Sequence, residues 1–231
     1  FVGATALAGV GTGFPVIFMI SSLFMGIGMG GTIMIAQYYG AQDMDRVKRT
    51  ISTIYTGMIV GTIPLAVIGI LVSGPLLSLM QVPPDAFPEA QLYMTIIFAG
   101  IIGTLGYNVN AGILQGLGDS RTPLYFLVFS SVLNIFLDFL FILPFHMGVA
   151  GAAWATILSQ FLSALLSLMV GWKNFEILHL HREDFRELRA SMILHLKTGF
   201  PMGFQMSVMC IGQLAMQTVV NSLGTAAVAG Y

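Results

Sequence analysis

The first forty-two residues contain no Asp, Glu, Lys or Arg. Charge disappears again over Thr50–Pro84, Ala90–Gly118 and Thr198–Tyr231. Each run exceeds the ~20 residues a helix needs to cross the hydrocarbon of a bilayer. Over the whole chain 8% of residues are charged and 56% are apolar, against about 25% charged in an ordinary soluble domain. Such stretches suit lipid, where a helix satisfies its own backbone groups. The fold class is therefore all-α and polytopic, with the lipid bilayer as its first partner.

Six spans follow: Gly11–Tyr39, Ile51–Met80, Ala90–Gln115, Leu124–Leu143, Gly148–Trp172 and Thr198–Ser222. Their connections alternate in charge. Residues 41–49 carry Arg46, Lys48 and Arg49, whereas 81–88 carry no Lys or Arg. Residues 116–123 carry Arg121, 144–147 carry none, and 173–197 carry Lys173, Arg182, Arg186, Arg189 and Lys197. Basic residues concentrate on the cytoplasmic side of a membrane. The alternation thus predicts that 41–49, 116–123 and 173–197 are cytoplasmic and that both ends of the chain lie outside. Within 173–197, Phe185, Leu188, Met192 and Leu196 recur at helical spacing among charged residues, which predicts an amphipathic surface helix from Glu183 onward.

The remaining composition mostly excludes. A net charge of −1 gives no reason to expect nucleic acid. Cys210 is the lone cysteine and reads as a small packing residue. His179, His181 and His195 lack the cysteine or carboxylate company of a metal centre. No basic leader precedes the first span, and the chain opens with Phe1, as a piece of a longer protein would. Residues Val2–Gly9 resemble Leu223–Gly230, with Gly, Ala, Ala and Gly coinciding. If this is a repeat, the period is six spans, and two same-oriented halves would make about twelve.

One polar constellation interrupts the apolar runs. Asp138 is the only formally charged residue inside a span. Ser131 and Asn134 precede it on one helical face, and Thr156, Gln160 and Ser163 fall on one face of the next span. A short turn at Pro144–Met147 makes the two spans antiparallel neighbours. An acid within a membrane faces protein or water and commonly marks an ion or substrate path. Carboxylate, amide and hydroxyl oxygens suit a proton or a Na⁺ ion. Burial favours the protonated acid and a bound cation favours the ionised one, which is a physical basis for coupling. Small residues spaced by four, such as Gly26 and Gly30, Gly57 and Gly61, and Gly112 and Gly116, predict close helix packing. Pro15, Pro64 and Pro201 are candidate kinks.

The string AGILQGLGDSRTPLYFLVFSSVLNIFLDFLFI, followed by MGVAGAAWATILSQ and preceded by IAQYYGAQD, resembles the multidrug and toxic compound extrusion (MATE) transporters. The resemblance spans family helices two to seven. It implies a six-helix lobe of a two-lobe, twelve-helix transporter. Residues 1–172 would form the amino-terminal lobe, 173–197 the connector, and 198–231 the first helix of the carboxy-terminal lobe. The resemblance further implies no enzyme activity and no cofactor. It implies export of a cationic or amphiphilic small molecule in exchange for Na⁺ or H⁺ across the plasma (inner) membrane, with the second lobe as partner. Asn134, Asp138 and Thr156 match the family's amino-terminal cation site; a further acid on helix one would precede Phe1. Residues 198–231 lack the helix-seven Glu of some members, which favours the amino-terminal site. The substrate-binding residues are open; Met25, Met29 and Phe139 are candidates for an adaptable cavity face. Three rival readings are a lipid or polysaccharide-precursor flippase, an intramembrane enzyme and a non-transporting assembly subunit. The first would want cationic spans, the second a paired nucleophile or metal cluster, and the third a partner's charge opposite Asp138.

Overall fold

The computed structural model describes residues 4–185 and 188–222, apart from the side chains of residues 4–6, 23 and 182. Seven α-helices follow in order: α1 (Ala4–Gly40), α2 (Met44–Leu79), α3 (Phe87–Ala99), α4 (Ile101–Gly116), α5 (Arg121–Ile142), α6 (Gly148–Asn174) and α7 (Leu188–Ser222). No strand occurs among the described residues. Most of the terminal repeat falls outside them, so it has no structural counterpart to compare.

Three helices, α2, α5 and α6, are each long and apolar enough to cross a membrane. The halves of α1 on either side of Leu23 form a fourth such span when taken together, and the pair α3–α4 forms a fifth, with a bend of 55° at the break. The expected third span, Ala90–Gln115, is therefore a broken one. Its break falls at Gly100, where Ile157 of α6 occupies the space a Cβ would need. The sixth expected span lies within α7, which is not among the helices that pass on apolarity. Gln205, Gln213 and Gln217 dilute it. Near its end two buried polar side chains are satisfied by protein: Gln217 Nε2 donates to Asn221 Oδ1 at 3.1 Å and Asn221 Nδ2 donates to Met80 O at 2.8 Å.

The connector also differs from the expected surface helix. Two 3₁₀ turns, Glu176–Leu178 and Arg182–Phe185, occupy its start. The helix that begins at Leu188 then runs without interruption through Pro201 to Ser222. Nothing between Ala190 and Thr198 breaks a helix, so the amphipathic turns and the span fuse into one rod. At 35 residues and about 1.5 Å per residue it is roughly 52 Å long, well beyond a ~30 Å hydrocarbon layer. Ser52 Oγ donates to Asp184 O at 2.7 Å and pins the connector to α2.

Helix α1 is central, packing against α2, α3, α4 and α7, while α6 packs against α3, α4 and α5. One core joins Val16, Leu65, Met94, Phe98 and Ile101; a second, at the basic-loop end, joins Ile35, Val47, Ile51, Ile113 and Leu114. The GLGDSRTP loop builds the start of α5. Gly118 sits at φ 89°, a conformation that favours glycine. Asp119 Oδ1 accepts from the backbone N–H groups of Arg121 and Thr122, both at 3.0 Å. Partial burial of Asp119 opposes its ionisation, but hydrogen bonds from Thr122 and Arg121, with the Arg121 charge, outweigh it and hold the carboxyl below the usual range. This most specific of the sequence motifs is thus a helix-capping device.

Candidate functional site

The turn after Ile142 lays α5 and α6 side by side, with His146 in a left-handed conformation at φ 52°. The antiparallel register sets Asn134 opposite Thr156, and Asn134 Nδ2 reaches Thr156 Oγ1 at 3.5 Å. The Thr156 hydroxyl itself donates to Ala152 O at 2.9 Å, which leaves its lone pairs toward the site. Asp138 lies one helical turn beyond Asn134 and is half-buried. Its Oδ1 is buried without a hydrogen-bond partner, as is Oε1 of Gln160 on the α6 face. Residues 122–172 contain no Lys or Arg, so neither helix supplies the acid with a basic companion. The neighbours Ile135, Phe136 and Phe139 are exposed and point away from this face.

Two members of the expected stripe are employed otherwise. Ser131 is exposed and donates to Leu127 O at 2.9 Å, and Ser163 donates to Phe126 O at 2.8 Å, tying the two helices together. The structure adds a residue that the two-helix reading omitted. Tyr93 of α3 brings its phenol beside Thr156 and Asp138. Tyr55 and Tyr107 are equally isolated phenols in apolar runs, yet they bond to Asn110 Oδ1 at 2.8 Å and to Pro123 O at 3.0 Å. Sequence offered no signal to separate the three.

Chemically the site holds two buried acceptors without a donor, Asp138 Oδ1 and Gln160 Oε1. An orphaned carboxylate oxygen and amide oxygen in a low-dielectric interior are costly. A proton or a hard monovalent cation relieves that cost; a softer or multivalent metal would want more ligands than one acid offers. The three connector-region histidines are not brought together. His179 packs on Trp172 and bonds its carbonyl at 2.9 Å, His181 is exposed, and His195 is buried on α7.

Between α1, α4 and α7 lies a cavity of about 230 Å³, lined by Met25, Met29, Met206, Asn108 and Gln115 among others. Two of the three suggested cavity residues meet there. Phe139 does not; it is exposed on α5.

Comparison with known proteins decides what kind of chain this is. The model of the MatE family matches residues 1–140. The chain belongs to the MatE family. The "Probable multidrug resistance protein YpnP" of Bacillus subtilis (strain 168) is 34% identical over 236 residues, which cover 99% of this chain and 51% of that protein. A solved structure titled "Inward-facing conformation of a multidrug resistance MATE family transporter of the MOP superfamily" superposes with a TM-score of 0.89 at 28% identity, covering 98% of this chain and 52% of that one. A structure titled "Outward-facing conformation of a multidrug resistance MATE family transporter of the MOP superfamily" superposes with a TM-score of 0.76 at 29% identity, covering 92% of this chain and 47% of that one. This MatE chain thus spans about half the length of the curated relatives it matches. It is an integral membrane protein whose helices correspond to a lobe-sized half of those transporters, a family of transporters and not of enzymes.

Proposed function

We propose that a complete transporter containing this chain is a secondary antiporter that exports cationic amphiphilic compounds in exchange for Na⁺ or H⁺. Its place is the plasma membrane, with 41–49, 116–123 and 173–197 cytoplasmic and 1–172 forming the amino-terminal lobe. The observation that carries this reading is the partnerless Asp138 Oδ1 between α5 and α6, with Asn134, Thr156 and Tyr93 beside it. A carboxylate held there without a donor has two natural states, protonated or cation-bound on one side of the cycle and emptied on the other. Helix α5 packs almost wholly against α6, so a change of charge at Asp138 bears on a single helix–helix seam. That seam is the element expected to repack. Drug and coupling ion then compete, and each lowers the other's affinity by the same factor. The methionine-lined cavity supplies an apolar, adaptable wall for the drug. The flippase reading is less well supported, since the spans of this chain hold no Lys or Arg to meet a phosphate.

The test is efflux by the complete protein in vesicles, in Na⁺-free and Na⁺-containing buffer at several pH values, with Asp138→Asn alongside. The mutant should lose ion-linked efflux at normal expression. Efflux equal to wild type in that mutant would reject Asp138 as the coupling group.

A further inference from the structure

Helices α1 and α7 meet along a seam of unusual closeness. Ser22 Oγ lies 3.0 Å from Ser207 Oγ. A Cβ on Gly26 would collide with the backbone of Gly203, and one on Gly30 would come within 2.5 Å of Gly199 Cα. Positions 22, 26 and 30 thus face 207, 203 and 199, an antiparallel register of small residues that lets two backbones touch. His195 extends the register one turn past Gly199, toward the basic-loop end.

His195 is 4% exposed. Its Cε1 stands where a side chain at Gly31 would go, 2.6 Å from an ideal Cβ, and Ile54 of α2 closes the same space. Its Nδ1 is buried without a hydrogen-bond partner. Beside it lies an apolar cavity of about 530 Å³ between α1, α2, α4 and α7, with Arg189 on its wall. The groups that could stabilise a charge are few. Along α1 the only titratable side chains are Tyr38 and Tyr39, and Tyr38 carries the Arg46 guanidinium 5.6 Å over its ring. Helix α2 brings Tyr55, which is bonded to Asn110, and Arg49 five residues before Ile54. Helix α4 brings Tyr107, bonded to Pro123 O. On α7 the neighbours are Arg189 and Lys197. No carboxylate occurs in 50–84 or 188–222.

We propose that His195 is a proton-sensitive latch on the α1–α7 seam, shut while the imidazole is neutral. An imidazolium there would be buried against an apolar cavity with no acceptor for its Nδ1–H; it is accommodated only if the seam parts and admits water. Burial already pushes this imidazole, which precedes the sixth span, below its ordinary value. The sign follows. The parted seam restores an ordinary histidine near ~6.5 and so binds more protons than the closed one. Closure is fully supported above that pH and weakens as pH falls below it, by up to about tenfold per pH unit for one proton. The latch answers to pH at the basic-loop end, far from Asp138 near the opposite end of α5, and does not depend on Asp138 being the coupling group.

The experiment uses the complete protein in lipid nanodiscs, with its native cysteines replaced and spin labels placed at Gln37 and Ile193, both exposed near this end of the seam. Distances are measured between pH 8 and pH 5. Wild type should gain a longer-distance population below about pH 6.5, while His195→Gln and His195→Leu stay short throughout and Asp138→Asn keeps the wild-type response. Two different neutral replacements guard against one failing to fold. A wild-type distance indifferent to pH would overturn the latch. So would a pH response that survives in both His195 variants, and a response that is lost only in Asp138→Asn would assign it to the ion site instead.

Discussion

Two polar clusters sit in the apolar interior of this bundle, and they are built on opposite rules. At Asn110, Tyr55 donates to Oδ1 at 2.8 Å, while Nδ2 donates to Ala164 O at 2.8 Å and to Ser167 Oγ at 3.1 Å. Every strong group is answered, and α2, α4 and α6 are tied by one side chain. At Asp138 the converse holds. Asn134, Thr156 and Tyr93 lie beside Asp138, but its Oδ1 has no donor. A complete network rigidifies and has nothing left to bind; an incomplete one stores a cost that an arriving cation or proton can relieve. In a membrane, where every unpaired group matters, that difference separates a structural knot from a working site.

The contrast breaks if the two clusters respond alike to mutation. Asp138→Asn should remove ion-linked efflux to background while leaving thermal stability of the complete protein unchanged or slightly raised, because it deletes an unpaired charge. Asn110→Leu should do the reverse. It strands the Tyr55 hydroxyl, while Ser167 keeps its bond to Ala164 O, and should cost ~1–2 kcal/mol of stability, read by chemical unfolding in detergent, with efflux per folded molecule preserved. Loss of efflux in a fully stable Asn110→Leu protein would erase the distinction.

How far the sequence could see differs between these clusters for a physical reason. Apolar runs holding at most one charge located five of the spans because hydrocarbon disfavours charge, and the α5–α6 pairing followed from a short turn. Asp138, Asn134 and Thr156 could be placed on facing stripes because helical spacing is local. Tyr93 could not, since its approach to Thr156 depends on how α3 leans once the span breaks at Gly100, and glycine alone does not announce a break. Nor could Asn110 be told from Asn108, two residues earlier, whose side chain merely bonds back to Thr104 O at 2.8 Å. The fusion of connector and span into α7 was hidden by a change in polarity at Thr198 that altered the environment but not the backbone.

Tyr93→Phe sharpens the comparison at smaller amplitude. It removes a hydroxyl that lies beside Thr156 and leaves the ring packed against the cluster of Ile97, Ala153 and Ile157. A polar neighbour of this kind contributes about 1 kcal/mol, so the apparent affinity for the coupling ion should change by roughly fivefold. Maximal efflux should persist, as expected of a residue that positions the site without binding the ion. An ion dependence identical to wild type would remove Tyr93 from the site.

The smallest effect expected is at Asp119, and it tests whether the GLGDSRTP motif is structural. Its carboxylate accepts two backbone N–H groups at the start of α5 and is held below the usual carboxylate range. A depressed acid stabilises the fold above its unfolded value of ~3.9 and surrenders that stability as pH falls through the lower folded value. Asp119→Ala should therefore cost about 1 kcal/mol near neutral pH, the usual magnitude for a lost helix cap, and the gap to wild type should narrow as pH drops below ~4. Asp119→Asn, which can still accept, should recover most of the loss without the pH dependence. Because the cap fixes where α5 begins, it also fixes the register that sets Asn134 against Thr156. A capping role therefore predicts that efflux declines in step with stability across these variants; a collapse of efflux in a stable Asp119→Asn protein would mean that the loop also acts in transport.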